Sequence, residues 1–202
     1  DDETLTEITR TGSLTVRQIS LENLGMFLAG RPSIAAQASS PVSDEAIAVL
    51  ADRYYQLGAS TANPSGVRSV SSVSVATATI SAAATATAYA VGDQVVPASS
   101  PLYIYQCTTA GTSGGSAPTW PTTVDTTVTD GTVVWTCIGI ITPVLDTDYT
   151  VDTTMARIYV LPTARVSATY PVPWEVDYTP SAVSREQLLT SGTADVYGAL
   201  RF

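Results

Sequence analysis

Hydrophobic and polar residues alternate along much of this chain, and helical spacing is confined to short stretches. Small polar and small apolar side chains follow one another in VRSVSSVSVATATISAAATATAYAV, residues 67–91. In SATYPVPWEVDYTP, residues 167–180, one strand face would carry Tyr170, Val172, Trp174, Val176 and Tyr178. A period of two residues is typical of strands with one buried face. We therefore expect a mainly β protein built as a sandwich or barrel.

Helical spacing appears in a few short segments. In SLENLGMFLAGRP, residues 20–32, Ser20 can cap a helix that Gly30 and Pro32 end. Residues 44–58 fit either a second short helix or a strand, because helix formers come early and aromatic residues late. SREQLL, residues 184–189, predicts a capped helical turn. The fold is expected to include one or two short helices beside its sheets.

Residues 87–142 have their own turn signals and form a predicted inserted module. YAVGDQVV and PLYIYQCTT read as strands, and TVTDGTVVWTCIG reads as a hairpin around Asp130-Gly131, a dipeptide that supports positive φ angles in tight turns. The loop GTSGGSAPTWPTT lies between them. We expect a small all-β module at 87–142, inserted into a discontinuous core domain of residues 1–86 and 143–202.

Composition excludes several classes of function. Nine arginines and no lysine stand against 18 acidic residues, and the net charge of −9 argues against a surface that binds nucleic acid through its phosphates. Without histidine, Ser-His-Asp and Cys-His catalytic sites are impossible within these 202 residues. No apolar run approaches the roughly 20 residues of a membrane helix. We expect no enzyme, no cofactor and no membrane contact.

Two cysteines lie on neighbouring predicted strands. Cys107 ends YIYQC and Cys137 ends VVWTC, so the two side chains can meet if the strands pair. A disulfide and two buried thiols are both open at this point. Two ligands are too few for a zinc site.

Carboxylates cluster in two places. Asp146, Asp148 and Asp152 suggest calcium, but the segment lacks the glycine and late glutamate of a calcium-binding loop, and we expect solvated turn residues and no metal. Glu175 and Asp177 share one strand face and suggest a carboxylate hydrolase, the remotest of the functional hypotheses.

Aromatic residues of the module are the better binding candidates, because aromatic faces stack on sugars or on protein. The candidates are Tyr89, Tyr103, Tyr105, Trp120 and Trp135. All five could instead form the module's own small core, which is what we expect for Trp135. For Trp120, held between Pro118 and Pro121, core and exposed positions are both open, and Trp120, Tyr103 and Tyr105 are the candidate surface or glycan contacts.

The module's motifs carry a resemblance. A Tyr-x-x-Gly-Asp strand in YAVGDQVV, a Tyr-x-Cys strand in LYIYQC and the Trp-Pro loop together resemble chitin-binding-type carbohydrate-binding modules, which recur as insertions in phage tail proteins. The resemblance covers about a quarter of the chain. It implies that residues 111–123 are the loop of a decorating module, which could be deleted without loss of assembly.

The flanking segments resemble the major tail tube protein of long-tailed bacteriophages. These segments are TLTEITRTGSLTVRQISLENLGMFLAG, DYTVDTTMARIYVLP and VDYTPSAVSREQLLTSGTADVYGALRF. The resemblance implies a virion subunit, assembled in the host cytoplasm into stacked six-membered rings. Its partners would be further copies of itself and other tail proteins, with DNA passing through the lumen unbound. Residues 67–88 and TDYTVDTT are expected to supply lumen or ring-contact strands.

A second hypothesis belongs to a different class. The chain could be a tail fibre or cell-surface adhesin in which residues 87–142 bind glycan and the remainder forms a stalk. The chain begins at Asp1 rather than Met and ends in the strand-like DVYGALRF, so we expect the natural polypeptide to continue past Phe202.

Overall fold

A computed structural model describes residues 30–99 and 102–190, with side chains for 36–99 and 102–184. These residues form strands and no helix, and the helix predicted at 20–29 lies outside them. In the described part, no helix has the length and apolarity needed to cross a membrane. The strands are β1 (Gly30–Gln37), β2 (Val42–Val49), β3 (Arg53–Gln56), β4 (Val70–Thr77), β5 (Ala88–Tyr89), β6 (Gln94–Val95), β7 (Tyr103–Thr109), β8 (Gly111–Thr112), β9 (Thr127–Asp130), β10 (Val133–Ile140), β11 (Tyr149–Asp152), β12 (Arg157–Val160), β13 (Val172–Pro180) and β14 (Val183–Thr190).

The chain divides into two compact units. One contains most of β1 and β14, which pair in a two-stranded sheet. The other, Gln37–Val183, holds the remaining strands in four sheets. Their orders are β2-β13-β4, β11-β12-β3, β6-β7-β10-β9 and β5-β8, and every pairing in them is antiparallel. The mainly β fold predicted from the alternation is confirmed.

A large hydrophobic cluster joins three of these sheets. The sheet β2-β13-β4 contributes the inner face of β13, where the predicted row is buried at Val172, Trp174, Val176 and Tyr178, and Tyr170 packs against it. The sheet β11-β12-β3 contributes Ile158 and Val160, and Tyr149 meets Trp174 edge-on at 5.6 Å between ring centroids. The sheets β2-β13-β4 and β11-β12-β3 therefore share one core, and the opposite face of each points away from it.

A second, smaller cluster lies within residues 87–142. Its buried members are Val95, Tyr105, Cys107, Val133, Trp135 and Cys137. The strands β7 and β10 also send Ile104 and Ile138 from their other face into the large cluster. Both faces of this strand pair are therefore covered. The separate-domain boundaries at 87 and 142 stay a prediction.

Two predicted helical segments are strands. Residues 44–58 hold most of β2, a turn and β3, which resolves the ambiguity in favour of strand. The predicted helical turn at 184–189 is wrong, because these residues lie within β14, paired with β1. The predicted hairpin at Asp130-Gly131 is confirmed, with Gly131 and Thr132 between β9 and β10 and Val133 opposite Asp130. Gly131 has the expected positive φ, 65°.

Candidate functional site

Two of the module's aromatic candidates belong to its core. Trp135 is fully buried, as predicted, and its Nε1 donates to the buried Asp130 carboxylate at 3.4 Å. Tyr105 is only 1% exposed, and its hydroxyl donates to the Pro121 carbonyl at 2.7 Å. Burial raises the pKa of the Tyr105 phenol, so it remains a neutral donor. The prediction that Tyr105 is a surface or glycan contact is wrong, because its ring fills the space between the strands and the loop.

The remaining candidates lie partly buried around this core. Trp120 stands 4.4 Å from Tyr105 and 6.0 Å from Trp135, measured between ring centroids. Tyr89 meets Trp135 edge-on at 4.8 Å. Trp120 and Tyr103 are half-buried, and both pack against the second cluster. The Trp-Pro loop therefore folds its tryptophan inward, and Trp120 packs against the core while part of its surface stays exposed.

Both cysteines are free thiols buried in the second cluster. The register sets Cys107 opposite Trp135 and Cys137 opposite Tyr105, so the thiols are diagonal neighbours on one face. Diagonal neighbours are separated by about 7–8 Å between Cα atoms, at or beyond the usual limit for a disulfide. Burial raises the pKa of Cys137 to about 11. Burial, and then the charge of Asp93, also raises the pKa of Cys107.

Of the three clustered aspartates, Asp146 is exposed in its turn, as predicted, whereas Asp148 and Asp152 have separate structural roles. Asp148 is fully buried, so its predicted place as a solvated turn residue is wrong. Its carboxylate accepts from Arg165 Nη2 at 2.7 Å and Nε at 3.1 Å, from the Arg165 backbone N–H at 3.0 Å, and from Val144 N–H at 2.9 Å. Asp152 pairs with Arg157 at 3.3 Å and accepts from Met155 N–H. No acidic group of the described residues forms a metal-binding cluster.

Arg165 is the residue that sequence reasoning missed at this place. Burial favours the neutral acid, but the hydrogen bonds from Arg165 and Val144 and the guanidinium charge outweigh it, and the pKa of Asp148 is lowered. The pair joins the turn at 144–148 to the segment around Arg165. Only the three-dimensional fold reveals it, because 17 residues separate the two side chains and no spacing rule links them.

Glu175 and Asp177 lie on the outer face of β13, away from the large cluster. Asp177 is exposed and accepts from the Asp44 backbone N–H at 2.8 Å. Glu175 stands opposite Ala46 on one side and Ala76 on the other. Asp177 lines a groove of about 190 Å³ together with short polar residues of β4, and the carboxylate hydrolase stays a hypothesis.

The outer strands of this same sheet form its two edges. β2 and β4 each run for eight residues and flank β13. Each has a strand partner on one side only within the described part of the chain. β4, with the sequence VSSVSVAT, has no charge and no proline. At the start of β4, Val70 N–H donates to the Thr153 carbonyl at 2.9 Å, so the open part of the edge follows this residue. Monomeric proteins protect their edge strands with charges and proline, so the open part of β4 is suited to pairing with another chain.

Comparison with protein families and with curated proteins identifies no relative. No protein-family model matches the chain, and no curated protein matches it significantly. A functional assignment therefore depends on the residues and geometry described above.

Proposed function

We propose that this chain is a structural virion protein, the subunit of a long-tailed phage tail tube, which assembles into stacked rings around a DNA conduit. The observation that carries the proposal is the unprotected edge of β4. An edge strand of this kind gains hydrogen bonds when a neighbouring subunit adds its own strand. Six-membered rings and an outward-facing module follow from the resemblance of the flanking segments and of residues 87–142.

The charge distribution supports the same role. A net charge of −9 disfavours the binding of DNA phosphates, and weak binding is what a conduit for passing DNA requires. The outer face of β2-β13-β4 presents Asp44, Glu175 and Asp177 among small side chains and carries no arginine within the described residues. The adhesin hypothesis loses one of its three expected contacts, because Tyr105 is in the core.

Edge pairing can be tested at one backbone amide. Ala78 N–H donates to Pro173 on the neighbouring side, and alternate amides of a strand point to opposite sides, so Val75 N–H points away from β13. Val75→Pro removes that donor, whereas the matched Val75→Ala variant keeps it and loses only side-chain packing. Electron microscopy of the full chain over a concentration series is expected to show rings or tubes for wild type and Val75→Ala.

For Val75→Pro we expect a folded protein without rings or tubes. Equal assembly of Val75→Pro and Val75→Ala would contradict edge pairing through β4. Wild-type protein that stays monomeric at every concentration would contradict the tube proposal. Retention of that monomer on chitin, lost in Trp120→Ala, would favour the adhesin.

A further inference from the structure

A cleft of about 380 Å³ opens between the segment that follows β3 and the turn that joins β11 to β12. Its lining residues are Gln56, Ser65, Val67, Arg68, Thr154 and Met155. Binding sites for small molecules usually have volumes of about 300–1,000 Å³. The groove beside Asp177 measures about 190 Å³ and lies below this range. The size of the cleft is therefore suited to one small ligand.

Gln56 holds both walls of the cleft in place. The two hydrogens of its Nε2 are shared among the carbonyls of Val67 at 2.9 Å, Met155 at 3.0 Å and Ala156 at 3.0 Å. Gly66, with φ of 64°, lets its segment approach this side chain closely, because an added Cβ would lie 2.6 Å from Gln56 Cγ. One glutamine thus fixes both walls, and a preformed site loses little conformational entropy when a ligand binds.

Arg68 is the one charged residue that lines the cleft. It is exposed, and it forms no ion pair with the acidic residues of the described part of the chain. The carboxylate on the neighbouring turn, Asp152, is paired with Arg157 at 3.3 Å and also accepts from Met155 N–H. The cleft therefore presents a positive charge that no lining carboxylate offsets, on a chain whose net charge is −9.

The other polar groups of the cleft are suited to binding hydroxyl groups. Gln56 Oε1 and the hydroxyls of Ser65 and Thr154 have no hydrogen-bond partner among the described residues. An amide oxygen accepts hydrogen bonds, and a hydroxyl both donates and accepts them. Val67 and the exposed Met155 add apolar surface. A ligand that complements this lining carries one negative charge, several hydroxyls and some C–H surface.

We propose that this cleft binds a sugar carboxylate, a sugar ring that carries one carboxylate group. The carboxylate is planar and matches the guanidinium fork, so Arg68 can hold it through two charge-assisted hydrogen bonds. One guanidinium offsets the single charge of a carboxylate, whereas a phosphate monoester carries nearly two charges at neutral pH. Ser65, Thr154 and Gln56 Oε1 bind the ring hydroxyls. The site goes beyond the tube function, and none of its lining residues belongs to β4.

Saturation-transfer NMR observed on the ligand tests the site in the full chain, because it reports weak binding to single subunits and to assemblies alike. Glucuronate is the probe. Glucose supplies the hydroxyls without the charge, and acetate supplies the charge without the hydroxyls. We expect saturable binding of glucuronate with a Kd of about 1 mM, and at least about tenfold weaker binding of glucose and of acetate.

Variants assign the binding to the cleft. Arg68→Gln is expected to weaken glucuronate binding at least about tenfold, because it removes the charged donor. Arg53→Gln, at an exposed arginine that does not line the cleft, is the matched control and should bind as wild type. Thr154→Val removes one hydroxyl and should weaken glucuronate binding while acetate binding stays unchanged. Melting curves of each variant identify any loss that comes from unfolding of the subunit.

The outcomes decide each part of the proposal. Absence of saturable glucuronate binding, or equal weakening by Arg68→Gln and Arg53→Gln, would overturn the site. Acetate that binds as tightly as glucuronate would overturn the sugar, and glucose that does so would overturn the role of the charge. Tighter binding of glucose 6-phosphate would overturn the preference for a carboxylate. Each of these results leaves the tube proposal standing, since assembly is measured separately by electron microscopy.

Discussion

At the scale of single residues, the carboxylate of Asp148 is the most constrained polar group described. Four hydrogen bonds converge on a side chain that has no exposed surface. Three of them come from Arg165, whose side chain is 45% exposed. The acid is thus desolvated while its cation remains partly hydrated, and the stability of the turn at 144–148 depends on the acid keeping its charge.

Asp148→Asn is expected to reduce the free energy of unfolding by about 2–3 kcal/mol at neutral pH. The asparagine amide cannot accept two charge-assisted hydrogen bonds from the guanidinium. Because the Arg165 side chain can turn to water, the loss of unfolding free energy lies at the low end for a buried ion pair. Urea unfolding followed by tryptophan fluorescence measures the change. Asp146→Asn, at an exposed position of the same turn, is the control and should change stability by less than about 0.5 kcal/mol.

The same pair gives a pH dependence. The pKa of Asp148 is lowered in the folded protein, below the value of about 3.9 in an unfolded chain. Its contribution to stability is therefore complete above about pH 4 and is lost as the pH falls through the folded pKa. Unfolding curves of wild type and Asp148→Asn should converge as the medium is acidified. A stability difference that stays constant down to pH 2 would contradict this assignment.

The two thiols should be unreactive in the folded protein. Their raised pKa values keep Cys107 and Cys137 protonated at pH 8, and burial blocks reagent access. Without reductant, iodoacetamide is expected to add two labels in denaturant and none under native conditions, as intact mass would show. No labelling in denaturant, with two labels appearing after reduction, would establish the disulfide alternative.

At the scale of elements, period-two patterning predicted the strands whose faces differ most. The inner row of β13 and the hairpin of β9 and β10 were predictable, because burial and turn chemistry are both local signals. Residues 44–58 remained ambiguous, since their helix formers are overridden by pairing of β2 with β13, whose paired residues lie 123 or more positions later in the chain. The helical prediction for SREQLL was wrong for the same reason, because the strand partner of this segment is β1, which is far away in the sequence.

The candidate site was less predictable than the strands. Tyr105 and Trp120 have aromatic rings of the kind that stack on sugars. Whether such a ring faces solvent depends on which loop covers it, and the sequence does not show this. The Asp148–Arg165 pair and the stacked Tyr54 and Tyr159 arise from contacts between segments distant in sequence. No regular pattern in the sequence indicates such contacts.

The β9-β10 hairpin depends on glycine at one position. Gly131 has φ of 65°, and an added Cβ would meet the Thr112 carbonyl oxygen and lie 2.8 Å from Gly114 N. Gly131→Ala is expected to cost about 2 kcal/mol or more, from backbone strain together with this clash. Gly115→Ala, where nothing lies within 4 Å, is the matched control. Thermal unfolding compares the two, and equal melting temperatures would contradict the argument.

At the scale of the whole molecule, the two hydrophobic clusters are not independent. Ile104 and Ile138 come from strands of the predicted module and lie in the large cluster. Deleting residues 87–142 would remove both side chains and leave a cavity in the large cluster, so this deletion would test stability and assembly together. Point variants that keep the strands are the better test of the module's role.

Ile104→Ala and Val95→Ala probe the large and the second cluster respectively. We expect each variant to unfold in one common transition with a reduced free energy of unfolding. The reduction should be about 2–4 kcal/mol for Ile104→Ala and somewhat less for Val95→Ala. Near-ultraviolet circular dichroism and tryptophan fluorescence should report the same midpoint. Two separate transitions, each shifted by only one variant, would show that residues 87–142 fold as an independent domain.

The central strand β10 has a dynamic consequence. It pairs with β7 on one side and β9 on the other, and side chains from both of its faces lie in hydrophobic clusters. Opening its amides to solvent requires disruption of both clusters at once. In hydrogen–deuterium exchange, the amides of β10 should therefore exchange only through global unfolding, while the amides of the outer strand β4 that point away from β13 should exchange through small local fluctuations.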